Sequence, residues 1–244
     1  MPAPRTDERE FAATANPDWI ARLLHASDSF YPTGSYAHSF GLEGLVQTGV
    51  VHDRATLRTF LLEEAVPALV GTDLAVAAQA TAALRADPVA WKTVRELCFL
   101  GAALRGTREM RAASEAIGSQ RITLAAMLHG GCAAEFDLRA REGAWPRPAC
   151  VAAAIEGAAI GAPGDAVLAG LLYSNVAGVI SAAVKLLRLG QNAVHTLLAE
   201  MLALTPDTIA RARALPLEAI GTFNPWWDVA SARHEHAEFR LFIS

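Results

Sequence analysis

The stretch from Ala166 to Leu189, AVLAGLLYSNVAGVISAAVKLLRL, constrains the fold more than any other part of the chain. Between Val167 and Val184 it carries no charged side chain. As a helix it would be roughly 33 to 36 Å long, at about 1.5 Å per residue. A helix that is apolar on nearly every side must be surrounded by protein or by lipid. The stretch therefore predicts either the central helix of an all-α protein or a membrane span.

Polar and small residues within this stretch favour a protein interior over lipid. Ser174, Asn175 and Ser181 lie in its middle, and a buried polar group needs a hydrogen-bonding partner that packed protein can supply. Neither flank has the basic cluster or the aromatic belt that membrane spans favour, and no second stretch of this length occurs. We therefore expect no membrane span, and we expect Gly170 and Gly178 to let neighbouring helices come close.

Helical periodicity and capping signals recur along most of the chain, and no convincing alternating strand pattern interrupts them. We therefore predict an all-α, single-domain bundle of about nine or ten helices around a buried central helix at about residues 166–189. Residues 1–15 are polar and are expected to be mobile. Residues 16–221 would form the helical domain, and residues 222–244 would form a distinct C-terminal tail.

Three local features carry more specific expectations. Pro67 is expected to kink or end a helix that starts near Arg54. Arg105, Arg108 and Arg111 have helical i, i+3 spacing and are expected to share one face. That face could be solvated and salt-bridged, or it could be a charged contact surface.

Composition excludes some classes of function and suggests that other proteins cover part of the surface. Apolar residues make up 52% of the 244 residues and charged residues 19%, so some apolar surface is expected to be covered by partners. The net charge is −4 and there is no basic stripe, so no nucleic-acid binding is expected. The N-terminus, MPAPRTDERE, lacks the apolar segment of a signal peptide, which predicts a cytoplasmic protein.

Catalytic and metal-binding signatures are sparse. The chain has no G-x-x-x-x-G-K-[ST] motif, no G-x-S-x-G motif, and no Glu followed three residues later by His, so phosphate-binding, hydrolase and di-iron patterns are missing. The best metal candidate is His234-Glu235-His236, whose imidazoles would share a face only on an extended segment. A helical metal-binding protein or metalloenzyme that uses these histidines remains an alternative.

The C-terminal tail is rich in aromatic residues and has no clear helical stripe. Its large aromatic residues are Phe223, Trp226, Trp227, Phe239 and Phe242. With Arg233 and Arg240 nearby, this composition is typical of interface hot spots. The tail could instead fold back onto its own bundle, so both readings stay open.

Four motifs, in order along the chain, together resemble the urease accessory protein UreF family. The first is SDS at 27–29 followed by PTGSYAHSFGLE at 32–43. The second is TREMRAAS at 107–114, and the third is SAAVKLLRLGQ at 181–191. The fourth is DVASARHE at 228–235, followed by FRLF at 239–242 and by Ser244. The chain departs from the family pattern at Thr33, Ser35, Arg188 and 192–195.

The resemblance implies a dimeric, all-helical accessory protein with no catalytic activity of its own. Such a protein binds a second accessory protein, UreD (also called UreH), and the GTPase UreG, and the assembly inserts nickel into apo-urease with hydrolysis of GTP. Nickel and GTP would be handled by the complex, with no cofactor bound directly by this chain.

The resemblance also implies two groups of contact residues. Contacts to the UreD/UreH-type partner are expected from the tail, at Trp226, His234, Glu235, Arg240, Leu241 and Phe242. The dimer or GTPase interface is expected at Tyr36, His38, Phe40, Glu43 and Gln191. No catalytic and no metal-binding residue is expected.

Overall fold

The computed structural model describes residues 18–234 and 240–243, and within them every regular element is helical. We number eleven helices in this part of the chain: α1 (Asp18–Ser27), α2 (Leu42–Gln47), α3 (54–84), α4 (Trp91–Ala103), α5 (Arg108–His129), α6 (Gly131–Glu142), α7 (Ala149–Ala159), α8 (Gly164–Leu186), α9 (Gln191–Leu202), α10 (Thr205–Ala214) and α11 (Pro225–His234). The prediction of an all-α bundle is confirmed, with slightly more helices than expected. The N-terminal segment at 1–15 lies outside the described residues.

Helix α3 runs through Pro67, so the expected helix end does not occur there. It starts at an Asp53 capping box, in which the Asp53 side chain accepts the Thr56 backbone N–H. Five-residue π-helical segments, Leu61–Ala65 and Val70–Leu74, lie on either side of Pro67. Because a π turn is wider than an α turn, it accommodates a residue that has no backbone N–H to donate. The result is one continuous helix over residues 54–84.

Helix α8 is the apolar stretch that the sequence singled out, although it begins and ends slightly earlier than expected, at Gly164 and Leu186. It packs against α1, α2, α3, α7, α9 and α10. One side of α8 remains exposed to solvent, at Tyr173, Ser181 and Lys185. By length and composition α8 could cross a membrane, but half of its most apolar window is buried inside the bundle, as in a core helix.

The most enclosed helix is α7. Every residue from Cys150 to Gly157 is buried. Helix α7 packs against α3, α4, α5, α6 and α8. It is therefore surrounded on all sides, and it includes the buried carboxylate of Glu156.

The arginines at 105, 108 and 111 do not form the single helical face that their spacing suggested. Helix α4 ends at Ala103 and α5 begins at Arg108, so Arg105 lies in the connection between them. Its guanidinium turns inward and pairs with Asp73, whose side chain is 5% exposed. Glycine at 106 and a Thr107 N-cap at the start of α5 produce this break, because glycine weakens helices and threonine favours their starts.

Candidate partner-binding surface

The last described residues, 240–243, run back over the bundle beside α2. The backbone N–H groups of Leu241 and Phe242 donate to the two carboxylate oxygens of Glu43, at 2.8 and 3.2 Å. The N–H of Ile243 donates to the carbonyl oxygen of Ala37 at 2.9 Å. Residues 240–243, which we call the terminal segment, are therefore attached to the segment between residues 37 and 43.

Glu43 receives these bonds because the preceding turn aims it inward. Phe40 and Gly41 both have positive φ, 54° and 85°, and this left-handed pair starts α2 at an angle that buries its first turn. Glu43 is 3% exposed, and its own N–H donates to Ser39 Oγ at 3.3 Å. A buried carboxylate needs hydrogen-bond donors, and the backbone of the terminal segment supplies two.

Side chains of the terminal segment alternate between the bundle and solvent. Arg240 pairs with Glu109 at 2.9 Å, and Phe242 is buried with Lys185 Nζ 5.1 Å from its ring centroid. Leu241 and Ile243 face outward, 72% and 61% exposed. The segment thus combines an anchoring side with an apolar side that is available to another molecule.

Helix α11 shows the same division between its two adjacent tryptophans. The Trp227 indole N–H donates to the Phe40 carbonyl oxygen at 2.7 Å, and its ring meets Phe60 edge-on at 5.1 Å. A Cβ at Gly41 would lie 2.6 Å from Trp227 Nε1, so only glycine fits beneath this indole. Trp226 points away and is 82% exposed, beside Phe223 at 90%. Trp227 therefore holds the 38–41 turn, and Trp226 lies on the surface.

The two groups of contact residues predicted separately lie next to each other in the structure. The terminal segment contacts Glu43 directly and reaches the carbonyl of Ala37, which follows Tyr36 in the chain. Tyr36 is 69% exposed, whereas His38 is buried and Phe40 is half-buried. Burial lowers the pKa of His38 below its ordinary value, and the nearby charge of Glu109 opposes this with a smaller effect. The lowered pKa favours the neutral imidazole.

The remaining predicted residues lie at the start of α9 and at or just after the end of α11 in the chain. Gln191 is exposed at the first residue of α9. His234 ends α11, and Glu235 lies outside the described residues. His236 of the alternative metal site is also outside them, so that alternative is not tested. Among residues 18–234 and 240–243 there is no cluster of three or more metal-ligand side chains.

Sequence reasoning missed the anchoring role of Trp227 and the exposure of Phe30. The adjacent tryptophans at 226 and 227 could have indicated this anchor. Neighbouring residues on a helix point about 100° apart, so only one of the two can face the bundle. Phe30 is 93% exposed. No sequence pattern distinguishes it from the neighbouring Tyr31, which is buried.

We predict that Glu43→Gln loosens the terminal segment while the bundle stays folded. A neutral amide offers one acceptor oxygen where the carboxylate offers two, and bonds to a charged acceptor are the stronger ones. Amide hydrogen exchange at Leu241 and Phe242 should become faster by about tenfold or more. The matched control is Glu142→Gln, at an exposed position of α6. Equal exchange in both variants would show that Glu43 does not hold the segment.

Comparison with known proteins identifies relatives of this chain. A family model described as UreF matches residues 51–202. The chain is 32% identical over 238 residues to a urease accessory protein UreF from Methylibium petroleiphilum, covering 97% of this chain and 98% of that protein. It is 31% identical over 225 residues to a urease accessory protein UreF from Paracidovorax citrulli, covering 92% and 89% respectively.

Proposed function

This chain belongs to the UreF family of urease accessory proteins, and from that membership we propose that it is a non-catalytic scaffold for urease maturation. It binds a UreD/UreH-type protein and the GTPase UreG, and the assembly inserts nickel into apo-urease with hydrolysis of GTP. In this proposal nickel is the cargo of the complex. The protein acts in the cytoplasm.

The observation that carries the proposal is the exposed apolar surface at the C-terminus, which we call the tail face. It comprises Phe223, Trp226, Val229, Leu241 and Ile243, all between 44% and 90% exposed. Large apolar and aromatic side chains on a protein surface are typical of interaction sites. We assign the tail face, within residues 222–244, to the UreD/UreH-type partner.

A second exposed surface lies where α1 and the following turn meet α8, and we call it the α1 face. It comprises Ile20, Leu24, Phe30, Tyr36 and Tyr173, between 37% and 93% exposed. Tyr36 and Tyr173 line the same shallow cavity, together with Ser27, Ser29 and Ser181. We assign this face to self-association as a homodimer, with Tyr36 at the border to the tail face, where the GTPase could contact both.

A scaffold of this kind changes the GTPase only through a difference in affinity. If it bound the GTP and GDP forms equally, it would shift neither population. The measurable signature is therefore a ratio between two dissociation constants, obtained by titrating UreG in each nucleotide state against the chain and its UreD-type partner.

We predict that Trp226→Ala combined with Leu241→Ala weakens binding of the UreD-type partner by about thirtyfold, because interface hot spots contribute about 2 kcal/mol or more. Both side chains are exposed, so the fold should be unaffected. Deleting residues 223–244 would be less informative, since it also removes the packing of Trp227 and Phe242. Binding is measured by pull-down and by calorimetry with the purified partner.

The control for this experiment is Met127→Ala, which removes a 71% exposed apolar side chain from α5. It should leave binding within about twofold of the parent, as expected for a change outside an interface. Retention of full affinity by the tail-face variant would count against the assignment. Urease activation with and without this protein then tests the maturation role itself.

A further inference from the structure

We infer that Tyr31 is a positioning residue for the exposed turn at residues 28–37, and that its phenol, held by Glu156 and Arg121, sets the orientation in which Phe30 and Tyr36 meet a second copy of this chain. The inference rests on the proposed function, because it requires the α1 face to be an interface. It concerns a buried group that the surface contacts themselves do not include.

The turn at residues 28–37 is held together by local bonds. The N–H of Phe30 donates to Asp28 Oδ1 at 2.6 Å, and the N–H of Tyr31 donates to the Asp28 carbonyl at 3.0 Å. The N–H of Ala37 donates to the Gly34 carbonyl at 3.1 Å. Bonds of this kind shape the turn, but they do not determine how the turn is placed on the bundle.

Tyr31 connects the turn to the interior of the bundle. Its side chain is 4% exposed, and its hydroxyl donates to Glu156 Oε1 at 2.5 Å. Arg121 donates to the other oxygen, Glu156 Oε2, at 2.5 Å. Since Glu156 is on α7 and Arg121 is on α5, one carboxylate links the turn to two core helices.

The phenol is enclosed on its faces as well as at its hydroxyl. The Arg121 guanidinium carbon is 5.4 Å from the Tyr31 ring centroid, and the His25 ring meets it edge-on at 5.1 Å. Burial, reinforced by the bond to Glu156, raises the pKa of Tyr31, so the hydroxyl keeps its proton and remains a donor. The ring therefore has one orientation available to it.

This enclosed phenol lies between two exposed aromatic residues in the chain. Phe30 is 93% exposed and Tyr36 is 69% exposed, while Tyr31 points in the opposite direction. A surface aromatic on a turn costs conformational entropy when a partner orders it. A buried anchor beside it lowers that cost, because the turn is already ordered before binding.

The experiment compares Tyr31→Phe with Thr123→Val, which removes a hydroxyl from an exposed position of α5 outside the α1 face. The dimer dissociation constant is measured by sedimentation under conditions where every variant is fully folded. Tyr31→Phe should raise it about tenfold, the equivalent of one lost buried hydrogen bond. Thr123→Val should change it less than about twofold, as expected for a change outside an interface.

A second measurement separates positioning from general stabilisation. In Tyr31→Phe, amide hydrogen exchange should become faster between residues 29 and 37, while the amides of α7 keep the exchange rates of the parent protein. A role limited to stability would lower the urea midpoint but leave both the dimer constant and this local pattern unchanged. That result would overturn the inference.

Two direct-contact variants distinguish failure of this inference from failure of the proposed interface. Phe30→Ala and Tyr36→Ala remove exposed side chains and should each weaken the dimer. If both leave the dimer constant unchanged, the α1 face is not the interface, and both the assignment and the inference fail. If both weaken it and Tyr31→Phe does not, the interface stands and the positioning role of Tyr31 is wrong.

Discussion

Replacing Asp73 with alanine is expected to lower the free energy of unfolding by about 3 kcal/mol, because it leaves a buried guanidinium without its counter-charge. Asp73 lies in the π-helical segment Val70–Leu74 of α3 and is 5% exposed. Its carboxylate pairs with Arg105, whose side chain is 20% exposed. The Nε atom of Arg105 is already buried without a hydrogen-bond partner, so few groups other than Asp73 are available to pair with this guanidinium.

The matched control for this prediction is Asp207→Ala. Asp207 pairs with Arg211 across 3.5 Å on the surface of α10, with both side chains more than half exposed. Exposed pairs contribute little, so the control should change the unfolding free energy by less than about 1 kcal/mol. Urea denaturation at one pH measures both variants. Similar losses in the two would mean that burial of the Asp73–Arg105 pair does not matter.

The second large effect is expected from Gly118→Ala in the middle of α5. A Cβ at this position would lie 1.8 Å from the carbonyl oxygen of Arg147 and 3.0 Å from the carbonyl carbon of Pro148. Glycine to alanine inside a helix ordinarily stabilises by about 1 kcal/mol. Here the backbone contact reverses the sign, and we expect a loss of about 3 kcal/mol or more.

The segment that would have to move is fixed in place. The N–H of Arg147 donates to Glu115 Oε2 at 2.6 Å, and the N–H of Ala149 donates to Ser114 Oγ at 3.1 Å. Both acceptors are on α5, one turn before Gly118, and the two donor residues lie on either side of Pro148. The chain entering α7 is therefore bonded to the same helix that the new methyl group would push away.

Gly178→Ala provides the control for this substitution. Gly178 is in α8, and a Cβ there would meet only the Phe40 ring at 3.7 Å, an ordinary van der Waals contact. This variant should be as stable as the parent or more stable by up to about 1 kcal/mol. Thermal unfolding of the pair measures the difference directly. Equal stability of the two variants would contradict the close approach of α5 and the 147–148 backbone.

Much of the candidate surface could be predicted from the sequence, but its geometry could not. The aromatic content of the tail indicated an interface, and Trp226 and Leu241 are exposed as an interface requires. Glu43 was expected in a separate interface, yet it is buried beneath the terminal segment. The sequence around such a carboxylate is the same whether the side chain faces solvent or accepts backbone N–H groups from a segment about 200 residues away. The sequence near Glu43 therefore could not predict its burial.

The sequence alone determined that this chain is an all-α bundle, because apolar periodicity and capping residues act over a few neighbouring positions. It also pointed to α8, whose length without charge requires burial. Only the tertiary structure decided that α7 is the more enclosed helix, and that Glu156 within it joins Arg121 and Tyr31. The physical reason is that burial and ion pairing depend on which helices pack around a segment, and an alanine-rich stretch of eleven residues has no distinct face to show it.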